Sequence, residues 1–351
     1  MEMEFGGAGD VRFERIGKAG VITLTRPKAL NALNLTIVAS MRRALRAWET
    51  DADVALVIVR GEGRAFCAGG DILDVYKAGR DGRVMTGFFQ EEYSLNAHIA
   101  RFPKPYVALI DGIVMGGGCG ISVHGSHRVY GENAVLAMPE VGIGFFPDVG
   151  GGHFLPRLKG KSGMWLGLTG NRVKQGDALA IGAATHAVPS AALEAIFSRL
   201  CETGDADAAI APHAVTPPPL TPAGDFAAMD RLFAADTLEG IMQALENEAA
   251  SGGAFARTCL DTMATRSPTS MAVTFRELRE GAGLTMDDNM RMEYRVVNRM
   301  LTGHDFYEGI RAVLVDRDNK PVWEPATLDG ITPAAIDAYF APLEAPELDL
   351  S

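Results

Sequence analysis

Two carboxylates, Glu140 and Asp148, sit in the stretch Met138-Pro-Glu-Val-Gly-Ile-Gly-Phe-Phe-Pro-Asp-Val-Gly-Gly-Gly152, whose other residues are apolar, proline or glycine. A carboxylate among apolar neighbours loses hydration, so its pKa is expected to rise. That suits base, acid or nucleophile chemistry near neutral pH. A second stretch, Gly112-Ile-Val-Met-Gly-Gly-Gly-Cys-Gly120, presents backbone that few side chains can block. Carboxylates together with bare N–H groups are the parts needed to attack an acyl carbon and to hold the oxyanion that forms.

Several familiar patterns fail. Gly160-Lys-Ser162 resembles the end of a phosphate-binding loop, but the upstream glycine position holds Leu155. Gly116 and Gly118 lack the third glycine of a dinucleotide fingerprint, because Ile121 stands there. Gly120-Ile-Ser-Val-His124 misses a nucleophile elbow at its last position, so a hydrolase built on Ser122 is disfavoured. His124 and His127 have no third metal ligand in view, and His98, His153 and His304 read as packing or surface residues.

Strands and helices must hold these loops. Val21–Thr25 reads as a strand ended by Arg26-Pro27. Leu35, Val38, Met41, Leu45 and Trp48 recur at three or four, the stripe of a helix. Val54–Val59 reads as a buried strand, followed by a loop from Gly61 to Asp71. Tyr106–Ile110 is a strand, the triple glycine a loop, and Cys119–His124 a helix start that Gly117 opens. His127–Tyr130 and Ala134–Met138 follow as short strands. Strand–loop–helix units in series mean an α/β architecture with ligands at the loop ends. Beyond a Pro-rich stretch, Leu238–Leu245, Ser270–Leu278 and Met290–Met300 read as helices, and the chain closes with an extended Ala312–Val315 and a Pro-rich tail. The organisation expected is a core over 10–205, a Pro-rich linker or loop over 206–225, and a mainly helical region over 226–351.

With 351 residues, 47% hydrophobic and 22% charged, the composition is that of an ordinary globular protein. The net charge of −11 argues against general nucleic-acid binding. Cys67, Cys119, Cys201 and Cys259 form no CxxC pair, so zinc and disulfide frameworks are disfavoured and small buried thiols expected. No apolar run reaches transmembrane length, and the acidic N-terminus is neither a secretory signal nor an Arg-rich transit peptide; a cytoplasmic location is expected.

Read together, Ala65-Phe-Cys-Ala-Gly-Gly-Asp-Ile72, Asp111–Gly120, Met138-Pro-Glu140 and the early Arg26-Pro-Lys-Ala-Leu-Asn-Ala32 resemble the crotonase (enoyl-CoA hydratase/isomerase) superfamily. Phe88–Tyr93, Lys104–Ile110, Met138–Leu158, Ser267-Pro-Thr-Ser270 and Gly303–Val315 look like its 3-hydroxyacyl-CoA hydrolase branch. The resemblance implies a spiral of repeated ββα units with a mainly helical C-terminal region. It implies hydrolysis of 3-hydroxyisobutyryl-CoA to 3-hydroxyisobutyrate and CoA, a step of valine breakdown. On that pattern Ala68 and Gly117 supply the oxyanion N–H groups. Glu140 attacks the thioester or activates water, both routes being open, and Asp148 accepts a hydrogen bond from the substrate's 3-hydroxyl. Glu92 lies at the acyl end. Lys28, Ala29 and Leu30 meet CoA, the last two through backbone. Gly70, Asp71, Ile72 and Gly116 line the substrate, although Asp71 would serve equally as a helix cap. Hydratases of the superfamily carry glutamate directly after Gly-Gly-Gly-Cys, and here that position is Gly120; Asp148 stands where they usually have glycine.

The expected partner is therefore a small acyl-CoA, with no cofactor, no metal, no nucleic acid and no membrane. Homo-oligomerisation is left open, since the superfamily commonly forms trimers or hexamers. The competing readings are an enoyl-CoA hydratase or isomerase, which Gly120 disfavours, and a non-catalytic acyl-CoA-binding protein, which the joint presence of Glu140 and Asp148 disfavours.

Overall fold

The computed structural model describes residues 1–350. Among the described residues ten strands form: β1 (Val11–Ile16), β2 (Ala19–Leu24), β3 (Leu56–Gly61), β4 (Ala65–Cys67), β5 (Tyr106–Ile110), β6 (Ile113–Met115), β7 (His127–Tyr130), β8 (Val135–Ala137), β9 (Arg172–Lys174) and β10 (His186–Ala187). One sheet has the order β1-β2-β3-β5-β7-β10, antiparallel at β1–β2 and parallel elsewhere. The other has the order β4-β6-β8-β9.

The pairs β3/β4, β5/β6 and β7/β8 each place their first strand in the six-stranded sheet and their second in the four-stranded one. Helices beginning at Ile72, Gly117 and Gly151 are the next α-helices after each pair. This is a repeated ββα winding. Each chemistry-bearing loop follows a second strand: Ala68–Asp71 after β4, Gly116 after β6, and Met138 to Glu140 after β8. Because β4 and β6 are parallel, the first two loops leave the same edge of their sheet.

Two compact units arise, each from separate stretches of chain. The first comprises Met1–Asp71, Glu91–Leu136 and Val173–Leu220; the second comprises Ile72–Gln90, Ala137–Arg172 and the chain from Thr221 onward. In the first unit every residue of β2 and β5 is buried, as strands covered on both faces require. Ala19, Val21, Leu56, Ile58, Val107 and Val129 make one apolar layer with Ile196 and Leu200 of helix Leu193–Thr203. Burying each valine, leucine or isoleucine of this layer contributes about 1.5–3 kcal/mol. In the second unit, helices Leu238–Ala250, Pro268–Gly281 and Met286–Met300 start at Thr237, Ser267 and Thr285, whose hydroxyls accept N–H bonds of the first turn.

Four local expectations are corrected. The Gly61–Asp71 loop contains β4, and β6 lies between Asp111 and Gly116; strands of three residues are too short to show a period. The helix expected at Cys119–His124 is Gly117–Gly120. Ala312–Val315 is not extended: Arg311–Val315 continues helix His304–Ile310 as a wider turn. Arg311 anchors that turn on Glu308 at 2.8 Å and Asp318 at 2.8 Å, which overrides the β preference of its valines. The Pro-rich tail contains helix Pro333–Phe340, capped by Thr332 with proline at its first position.

Candidate active site

In the first unit the chain leaves β2 through a short turn, Pro27–Ala29, and Leu30 and Asn31 take left-handed φ values of 51° and 57°. Asparagine tolerates that conformation better than most residues. The Asn31 side chain is fully buried; it accepts the Arg26 N–H at 2.9 Å and donates to the carbonyls of Glu62 and Ala65, both at 2.9 Å. These bonds lay the 26–33 segment along the loop after β4. Ala68 N–H donates to the Leu30 carbonyl at 3.0 Å, Leu33 N–H to Gly69 at 2.8 Å, and Asp71 N–H to Leu33 at 2.7 Å. The Asp71 carboxylate meets Arg26 Nη2 at 3.1 Å and so pins the two segments together. Lys28 and Ala29 are exposed; Leu30 and Ile72 are half-buried.

One expectation changes here. The Ala68 N–H is already bonded to Leu30 and is not available to an oxyanion. The open N–H of this loop is that of Gly70: among the described residues no hydrogen bond uses it, and none uses that of Gly117. Gly116, at φ 48° and ψ −123°, takes a backbone conformation closed to residues with a side chain and turns the chain into Gly117–Gly120. A Cβ at Gly117 would lie 2.5 Å from Glu92 Oε1 and 3.2 Å from the Gly70 nitrogen. The bare backbone of Gly117, the N–H of Gly70 and the Glu92 carboxylate are thus neighbours. The helix that Gly117 opens is only four residues long, so it offers N–H groups more than a macrodipole. Helix Thr86–Arg101 separates two adjacent glutamates: Glu91 reaches Arg42 at 2.6 Å, while Glu92 is buried.

In the second unit Glu140 opens a short 3-10 turn, Glu140–Ile143, and is buried. No hydrogen bond reaches its Oε2. Burial pushes its pKa well above the ordinary 4.5, and the negative charge of Asp148 pushes the same way. The turn is braced from the C-terminal helices. Ser267 N–H donates to the Val141 carbonyl at 3.1 Å, and the Ser267 hydroxyl donates to Asp305 Oδ2 at 2.6 Å. A side chain at Gly144 would run into the Asp305 carbonyl. The Ser267–Ser270 and Gly303–Val315 motifs therefore carry the floor under Glu140. Asp148 is also buried, in a loop where Val149 (φ 54°) and Gly150 (φ 89°) are both left-handed. A β-branched residue in that region is strained and persists only where its surroundings hold it.

A family model described as enoyl-CoA hydratase/isomerase matches residues 19–340. This chain belongs to that family. Family members named "3-hydroxyisobutyryl-CoA hydrolase, mitochondrial" are similar along nearly the whole chain. The Danio rerio protein is 45% identical, covering 97% of this chain and 92% of its own; the Homo sapiens protein is 42% identical, covering 97% and 91%. Among solved structures of the family, a carnitinyl-CoA dehydratase from Mycobacterium thermoresistibile superposes with a TM-score of 0.91 at 44% identity, covering 97% of this chain and 98% of its own. An enoyl-CoA hydratase from Rhodobacter sphaeroides does so with 0.87 at 39%, covering 97% and 99%. The ββα winding is thus the crotonase fold with a helical C-terminal region. The cytoplasmic location expected above is overturned, since the vertebrate relatives carry a mitochondrial designation. Composition speaks to solubility and fold, whereas an address is read from a segment outside the fold. No helix among the described residues is long and apolar enough to cross a membrane.

Sequence reasoning passed over three residues of this crotonase-type chain. Glu277, Asn289 and Glu293 are fully buried beside the Asp148 loop. The signal was present. Glu277 follows Ser270 and Thr274 on the inward face of helix Pro268–Gly281, and Glu293 follows Asn289 by one turn among buried methionines and valines of helix Met286–Met300. Charged residues on an apolar stripe are the observation that should have been followed.

Proposed function

We propose that this protein hydrolyses the thioester of 3-hydroxyisobutyryl-CoA to 3-hydroxyisobutyrate and CoA, a step of valine breakdown. The observation that carries the reading is the buried pair Glu140 and Asp148, in a chain aligned over 97% of its length with proteins named for that hydrolysis. Gly120 supports it, because a hydratase of this family would need a second carboxylate there.

In this reading the N–H groups of Gly70 and Gly117 bond to the thioester oxygen as it becomes an oxyanion, each contributing about 3 kcal/mol to the barrier's reduction. Glu140, kept basic by burial and by Asp148, takes a proton from water as the water oxygen bonds to the thioester carbon. Collapse of the tetrahedral intermediate breaks the C–S bond, and the Glu140 carboxyl returns its proton to the CoA thiolate. The same balance is reached if Glu140 itself attacks, expels CoA and leaves a mixed anhydride that water opens. Asp148 accepts a hydrogen bond from the 3-hydroxyl and selects acyl groups that carry one. Glu92, beside Gly117, borders the acyl end. Lys28 and Ala29, both exposed, and the Leu30 backbone receive CoA. Water is the only co-reactant, and no cofactor takes part.

Similarity to the carnitinyl-CoA dehydratase from Mycobacterium favours a second reading, water addition or removal across a C=C bond. One experiment separates them: free-thiol release from 3-hydroxyisobutyryl-CoA and from crotonyl-CoA, with enoyl absorbance followed in parallel. Rapid thiol release from the hydroxyacyl ester with crotonyl absorbance unchanged is expected. Loss of enoyl absorbance without thiol release would replace the hydrolase with a hydratase.

A further inference from the structure

Helix Met286–Met300 reaches across 143 residues of sequence to hold the loop that carries Asp148. Glu293 Oε2 accepts the Gly150 N–H at 2.8 Å and Oε1 accepts the Gly152 N–H at 3.1 Å. Asn289, one turn earlier, donates its side-chain N–H to Glu293 Oε1 at 2.6 Å and fixes the carboxylate's rotamer. The fit is close: a Cβ at Gly152 would lie 2.5 Å from Asn289 Oδ1 and 3.0 Å from Glu277.

Glu277 of helix Pro268–Gly281 lies next to them, against the same Gly152. It is fully buried, and no hydrogen bond of good geometry reaches either of its oxygens. Burial and the neighbouring charges of Glu293 and Asp148 raise its pKa well above the ordinary range. Burial raises that of Glu293 too, but the Gly150, Gly152 and Asn289 donors favour its charged form. Both carboxyls are therefore shifted upward, Glu277 well above the ordinary range and Glu293 to about 8, and Glu293 is the one whose donors favour ionisation.

An anchor with two parallel acceptors explains the backbone it holds. Val149 and Gly150 are both left-handed, and such strain relaxes once the groups that impose it are removed. The N–H bonds on either side of Gly151 fix the direction in which Asp148, two residues before Gly150, projects. A loop could be tied down by neutral acceptors. A buried carboxylate instead is costly to desolvate, so its use points to a geometry that must be held tightly.

We infer that Glu293, oriented by Asn289, is a positioning residue that acts through the Asp148 loop to set the enzyme's selection for a 3-hydroxylated acyl group. This rests on the reading above in which Asp148 receives that hydroxyl. A displacement of about 1 Å at such a contact costs on the order of a hundredfold in rate.

The test compares kcat and KM for 3-hydroxyisobutyryl-CoA and for isobutyryl-CoA, which lacks the hydroxyl, in the wild type, Glu293→Gln, Asn289→Ala and Asp148→Asn. Glutamine keeps the shape of Glu293 but offers an acceptor to only one of the two N–H groups. The expected result is a fall of about a hundredfold in the ratio of kcat/KM for the hydroxylated over the plain ester in Glu293→Gln, carried by both kcat and KM. Asn289→Ala should show a smaller fall of the same kind, which keeps the test open if Glu293→Gln does not fold. Equal losses on both esters in the two variants, or an unchanged ratio while Asp148→Asn collapses it, would overturn the inference. A ratio unchanged in Asp148→Asn itself would instead remove the hydroxyl-binding role of Asp148, and this inference with it.

Discussion

At the scale of single residues, Glu140 and Gly117 should bear the sharpest losses. Glu140→Gln keeps the volume of the side chain but can neither take a proton nor attack. Thiol release should fall by about 10²–10⁴-fold, while CoA-ester binding measured by calorimetry survives; undiminished turnover would take Glu140 out of the chemistry. Base or nucleophile action needs Glu140 ionised, so activity should rise with pH through its folded pKa. Burial and then Asp148 raise that value above the ordinary 4.5, and the acid limb of the kcat/KM profile should sit correspondingly high. In Asp148→Asn one negative neighbour is gone, so the limb should move to lower pH; a shift the other way would contradict the electrostatics argued here. Gly117→Ala places a methyl group 2.5 Å from Glu92 Oε1 and 3.2 Å from the Gly70 nitrogen. Turnover should drop more than tenfold, on the scale set by losing one oxyanion donor, about 10²–10³. Circular dichroism should show the fold retained.

Among the elements, the turn that opens with Glu140 depends on a helix start far along the chain. Ser267 caps helix Pro268–Gly281, donates its N–H to Val141, and gives its hydroxyl proton to Asp305. Asp305 also accepts the Glu324 N–H at 2.8 Å. Asp305→Ala leaves two donors without a partner and should destabilise the protein by about 1–3 kcal/mol, read as a lower midpoint in urea. Ser267→Ala should cost about 1 kcal/mol through the lost cap. The helices that do this work were legible because their apolar residues recur every three or four positions, as with Met290, Val296, Val297 and Met300. The winding of β3/β4, β5/β6 and β7/β8 between two sheets was visible only through family resemblance. β4 and β6 are too short to announce themselves, and Ala312–Val315 reads as strand because its helix is imposed by the ion pairs of Arg311. Ala68 was misassigned as a donor because the direction of a backbone N–H is a property of the fold, settled here by the Leu30 carbonyl.

For the whole molecule, the buried carboxyl groups of the second unit tie stability to pH. Glu277 holds its proton in the folded chain at pH values where the unfolded chain, with an ordinary value of 4.5, has released it. Between those two values the folded state binds more protons, so stability falls as pH rises, by about 1.4 kcal/mol per pH unit for one such group. Glu277→Gln supplies a neutral side chain at every pH. Its melting temperature should decline less steeply than the wild type's above pH 5 and should equal or exceed it at pH 8; an unchanged slope would mean that Glu277 is ionised in the native state. Much of the candidate site was readable from glycine-rich loops and their carboxylates, since Glu140, Asp148 and Gly117 announce themselves by type and spacing. The role of Glu277, Asn289 and Glu293 was not, beyond their being polar residues on apolar helix faces, because the loop they hold lies more than a hundred residues away. The Gly150–Glu293 bond spans 143 residues. Synthesis proceeds at about 5–20 residues per second, so on the order of ten seconds separate the birth of the Asp148 loop from that of its anchor. A nascent chain would therefore carry every residue named for the chemistry well before it could use them, and activity would switch on only as the last helices leave the ribosome.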